Sequence, residues 1–70
     1  MGRSGVHYQV RVRGQLSEMM LGAFPDLRAQ VLGSETVLAG ELDQAALFGV
    51  LDRVEALGLE LLEVRRTEDH

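Results

Sequence analysis

The sequence contains no cysteine and no lysine, has a single proline, and offers only three aromatic rings, Tyr8, Phe24 and Phe48. Without cysteine, disulfides and thiolate metal sites are excluded. Imidazole comes only from His7 and His70, at opposite ends of the chain. No apolar run approaches the roughly 18 residues that a membrane helix requires. The opening Met1-Gly2-Arg3-Ser4-Gly5 is polar, lacks the apolar segment of a signal peptide, and is followed by Val6 where a myristoylation signal carries Ser or Thr. The expected location is therefore the cytoplasm. Every basic residue is an arginine, a bias associated with GC-rich bacterial genomes. The net charge of −4 disfavours nucleic acid, because phosphate binding rests on a cationic surface.

Seventy residues suffice for one domain, expected to span 1–70 with residues 1–5 and 67–70 flexible. A chain of this size has a thin core, burying about 60% of the surface that its unfolded form exposes. With disulfides excluded, self-association is the stabiliser most worth testing.

Val6 to Arg13 alternates strictly between apolar and polar residues. That predicts a strand with Val6, Tyr8, Val10 and Val12 on the buried face and His7, Gln9, Arg11 and Arg13 on the other. Leu16 to Phe24 predicts a short helix capped by Ser17, with Leu16, Met20, Ala23 and Phe24 on one side. Gly22 weakens this helix and Pro25 stops it, leaving room for about two turns. Two strands, Leu27 to Leu32 and Glu35 to Leu42, meet at the hairpin signal Gly33-Ser34. Leu27, Ala29, Val31, Thr36, Leu38 and Leu42 are expected inward; Arg28, Gln30, Leu32, Val37, Ala39 and Glu41 are expected outward. The longest helix runs from the cap Asp43 to Leu57, with Leu47, Val50, Leu51, Val54 and Leu57 as its apolar stripe and Gly58 closing it. Leu59 to Arg66 completes the chain as a strand, Leu62 and Val64 inward, Leu61, Glu63 and Arg65 outward.

Strand, helix, strand, strand, helix, strand is the order of the α+β ferredoxin-like split βαβ fold. It predicts a four-stranded antiparallel sheet of order 4-1-3-2, with two helices on one face and the first of them short.

Chemistry-bearing residues are sparse, and the sequence yields no catalytic, cofactor-binding or metal site. His7 as a general base would need a partner, for which Glu63 and Gln9 are the nearest candidates. Ser4 falls in the leading tail, Ser17 at a helix cap and Ser34 in the hairpin turn, so no nucleophilic triad is read. The acidic residues follow no calcium-loop or zinc-site spacing, and the glycines no phosphate-loop spacing. RNA-recognition sheets stack bases on strand aromatics, whereas Tyr8 is expected to point inward. Phe48 lies on the flank of the helical stripe, as an edge of the core or an exposed contact.

The run Asp43-Gln44-Ala45-Ala46-Leu47-Phe48-Gly49-Val50-Leu51, with Leu57-Gly58-Leu59 and Leu61-Leu62-Glu63-Val64, resembles a group of short uncharacterised bacterial proteins. They share a D-Q-A-A-L-x-G-L-L helix and an L-G-L-x-L-L-x-V ending. Tyr8 to Gly14 and Thr36 to Gly40 extend the resemblance over nearly the whole chain. It implies a stand-alone domain and brings no established activity. Histidine is common in that group where this sequence has Phe48, which favours a packing or contact role for the position.

The expectation is a homo-oligomeric binding or interaction module, an accessory or regulatory protein that uses its open sheet face and associates with itself through that face or an edge beside it, with another protein as the further candidate partner. Arg11, Arg13, Arg28, Val37, Glu41, Leu61, Glu63 and Phe48 are the candidate interface residues. The alternative is a cofactor-independent oxygenase- or isomerase-like enzyme with a pocket between sheet and helices.

Overall fold

Strict alternation over eight residues folds as the strand β1 (Val6–Arg13) in the computed structural model, which describes residues 6–67. Val10 and Val12 on its inner face are fully buried, and Tyr8 packs against the same core. The remaining elements are α1 (Glu18–Leu21), β2 (Arg28–Leu32), β3 (Glu35–Leu42), α2 (Gln44–Ala56) and β4 (Leu61–Thr67). They build a small α+β structure whose four strands form one antiparallel sheet in the order β2-β3-β1-β4. The expected flexibility of residues 1–5 and 68–70 falls outside the described residues. Thr67 does not fray: it ends β4, and its hydroxyl donates to His7 O at 3.2 Å.

Local chemistry sets the ends of the elements. Ser17 Oγ accepts from Met20 N, and Asp43 Oδ1 accepts from Ala46 N at 2.7 Å, a cap worth about 1 kcal/mol. At the far end of α2 the amides of Gly58 and Leu59 donate to the carbonyls of Glu55 and Val54, with Gly58 at φ +74°. This Schellman closure turns the chain sharply towards β4. The two-residue turn Gly33-Ser34 joins β2 to β3, with Gly33 at φ +62° as a type II′ turn demands.

One cluster forms the core: Val10, Val12, Leu38 and Leu42 from the sheet, Leu16 and Phe24 flanking α1, and Leu47, Val50 and Val54 from α2. Both helices therefore cover the same sheet face. Thr36 is also fully buried there and donates to Gly14 O at 2.7 Å, which satisfies its hydroxyl.

The first helix is shorter than the expected two turns. It closes after Leu21 into tight turns, in which the amides of Ala23 and Phe24 donate to Met20 and Leu21. A single turn cannot reach the sheet edge. Ala29 and Val31 accordingly share the inner face with their partners Leu38 and Thr36, yet all of β2 is exposed, Val31 by half. Two members of the expected α2 stripe also differ. Leu51 is only partly buried, on its flank, and Leu57 is exposed where the helix has ended.

The last strand departs most from simple alternation. Arg11 stands opposite Glu63 and Val12 opposite Leu61, so Leu62 is an extra residue, a β-bulge. Leu61 thereby passes to the helix side, where it lines a groove with Leu51, Val54 and Leu59. Leu62, expected inward, is half-buried and does not join the core cluster.

Candidate interaction surface

The sheet face opposite the helices carries no covering layer among the described residues. Residues directly opposite in an antiparallel pair share a face, so the registers define this surface row by row. Gln30, Val37, Arg11 and Glu63 make one row, and Arg28, Ala39, Gln9 and Arg65 the next. His7 follows between Glu41 and Thr67. Leu32, Glu35 and Arg13 lie at the other end.

Charge dominates this surface. Arg11 Nε is 3.5 Å from Glu35 Oε1, and Arg11 Nη2 is 3.7 Å from Glu63 Oε1. Glu63 Oε2 in turn lies 3.5 Å from Arg65 Nη2. Arg13 Nε donates to Glu60 Oε1 at 2.8 Å. The result is a ladder of alternating sign across β3, β1 and β4. Its members are partly exposed, so each pair contributes at most about 1 kcal/mol to stability. Val37 sits in the middle of this polar surface and is nonetheless buried, flanked by Arg11 and Gln30. Beside it, His7, Gln9, Arg28, Gln30, Val37 and Ala39 line a shallow depression of about 440 Å³.

Of the eight candidate interface residues, the structure brings Arg11, Arg13, Arg28, Val37, Glu41 and Glu63 onto this face. Leu61 is corrected to the opposite side by the bulge at Leu62. Phe48 belongs to α2 and is 55% exposed, away from the sheet face. Val37 is on the expected face but offers little surface. Glu35 and Glu60 complete the charge pairs and were missed. Glu35 has a readable signal, since it stands two residues before Val37 and therefore on the same face. The doublet Leu61-Leu62 is likewise the signal for the bulge, because two adjacent leucines break the alternation.

His7 is not placed as sequence reasoning suggested. Its cross-strand neighbours are Glu41 and Thr67, while Glu63 stands opposite Arg11. Tyr8 packs on the core side, so the open face carries no aromatic ring among the described residues. On the helix side, a groove of about 370 Å³ runs between α2 and residues 24–27, with Asp26 and Arg53 as its ionisable members. No cluster of three or more metal-ligating side chains occurs among the described residues. No helix among them is long and apolar enough to cross a membrane.

These features define a small α+β domain with one face of its sheet layered by helices and the other open and charged. Residues 7–65 match the family model described as Domain of unknown function (DUF8691), and the chain belongs to that family. No curated protein and no solved structure matches it.

Proposed function

We propose that this chain is a small interaction module of ferredoxin-like fold, a homo-oligomeric accessory or regulatory protein of the bacterial cytoplasm. Its partner-contacting surface is the open face of the sheet. The element order and the sheet order β2-β3-β1-β4 support the ferredoxin-like part of this reading, with α1 reduced to one turn.

The observation that carries the functional part is the uncovered face itself. It holds a charge ladder beside a depression edged by His7, Arg28 and Gln30. Arginines and carboxylates fixed at sheet spacing suit a partner with complementary charge, because they specify orientation more than they add affinity.

For an oxygenase- or isomerase-like enzyme, the candidate pocket is the groove between α2 and residues 24–27, with Asp26 and Arg53 as its charged groups. The two readings separate experimentally. Native mass spectrometry of protein taken from its own host reports subunit number and any retained partner or ligand together. Arg28→Glu is expected to abolish that retention and to leave the melting temperature nearly unchanged, because Arg28 is exposed on an edge strand. Retention that survives Arg28→Glu and is lost on Arg53→Glu would move the function to the groove.

A further inference from the structure

We propose that the chain pairs with a second copy of itself along β4, antiparallel, in the register that sets Val64 opposite the partner's Val64. The inference rests on the homo-oligomeric reading above and assigns the surface it uses.

The strand β4 lies at one end of the sheet. An edge strand presents a row of peptide groups without ladder partners and can accept another strand. Seven residues are available, with no proline to block the ladder. Charged side chains usually guard such an edge, and β4 carries Glu63, Arg65 and Arg66. Whether they repel a second copy depends on the register.

Both faces and the hydrogen-bonding edge repeat every second residue, so a two-fold antiparallel pairing that preserves them must centre on a residue of β4. Centring on Glu63 sets two glutamates face to face, and centring on Arg65 sets two arginines together. Like charges directly opposite are destabilising. Centring on Val64 instead places Glu63 opposite the partner's Arg65, and Arg65 opposite the partner's Glu63. The matched faces run outward from this centre as far as the bulge at Leu62, beyond which Leu61 and Thr67 lie on different faces.

In the single chain, Glu63 has Arg11 across the ladder on one side and Arg65 two residues along its own strand, and among the described residues its other side is the open edge. In the pair that open side receives the partner's Arg65. The row Arg11, Glu63 then continues into the second sheet with its signs still alternating. On the helix side Val64, 38% exposed, meets its own counterpart. Beside it Leu61, 44% exposed, and the groove of about 310 Å³ between α2 and β4 come under cover.

The other edge, β2, offers five residues and only Arg28 as a charge, so nothing in it selects a register. Pairing through β4 leaves the open faces of the two sheets side by side as one continuous surface, free for a further partner.

The test uses two charge reversals of the full chain, Arg65→Glu and Glu63→Arg, in sedimentation velocity over a concentration series. The unaltered chain is expected to form a dimer that grows with concentration. Each variant alone sets like charges opposite in the same register, and its self-association should weaken by about tenfold or more. An equimolar mixture should regain the dimer, because the paired carboxylates of the Arg65→Glu chain then face the paired guanidinium groups of the Glu63→Arg chain. Circular dichroism verifies that each variant is folded, and Arg65→Glu keeps the Arg11–Glu63 pair should Glu63→Arg prove unstable. Variants that dimerise like the unaltered chain, or a mixture of folded variants that stays monomeric, would overturn the β4 pairing. If Arg28→Glu dissociates the dimer while both β4 variants leave it intact, association runs through the open face and the β4 assignment fails alone. A monomer at every concentration removes both.

Discussion

Leu38→Ala is expected to lower stability by about 2–5 kcal/mol. Leu38 is 1% exposed, on the inner face of β3, opposite Val10 of β1 and Ala29 of β2. Its removal leaves a cavity under α2 that few neighbours can fill, since the core has a single layer of helix above it. A 70-residue chain has little reserve against such a loss. The helical spacing of the sequence nominates Leu51 for the same role. Leu51 is only partly buried, however, and its truncation should cost clearly less. Urea denaturation reads both changes as shifts in midpoint at constant slope. Equal losses at Leu38 and Leu51 would mean that α2 is rotated about its axis from the orientation described.

Gly40→Ala and Gly49→Ala are expected to change stability in opposite directions. A Cβ at Gly40 would lie 2.8 Å from Leu27 Cδ2 and 2.9 Å from Asp26 O. The leucine end can swing aside, but the carbonyl is backbone in the connection from Pro25 to Leu27, so the connection itself must move. Overpacking of this kind costs about 1–3 kcal/mol. Gly49 stands inside α2 with nothing within 4 Å of its Cβ position. Alanine there removes the entropic penalty of glycine in a helix and should stabilise by about 0.5–1 kcal/mol. Thermal melts of the two variants side by side give the sign directly.

Periodicity and capping chemistry made most of the fold legible. Val6 to Arg13 announces a strand by its alternation, Asp43 and Gly58 bracket the second helix, and Gly33-Ser34 marks the hairpin. Alternation fixes which face a side chain occupies; it does not say how far the layer above that face extends. Ala29 and Val31 illustrate this: both are on the inner face and both are exposed, because a one-turn α1 stops short of β2. Leu57 fails for a related reason, since it follows the helical spacing into a residue where the helix has already closed.

The candidate surface was legible to the same degree. The outward set of β1 and β3 comes directly from alternation, and the registers then add Glu35 and Glu63 to Arg11. The position of Leu61 was not, because one extra residue reverses the face of everything before it. That reversal moves exposed apolar surface from the open face to the flank of β4, beside Val64 and the groove under α2. The open face is consequently more polar than the sequence suggested, and the apolar contribution to association shifts to the edge.

Amide hydrogen exchange of β4 as a function of protein concentration tests the central claim most directly. Pairing along β4 predicts that alternate amides between Glu63 and Thr67 slow as the concentration rises, while those of β2 keep the fast exchange of a free edge. Exchange in β4 that is independent of concentration, or protection that appears in β2 instead, would contradict it.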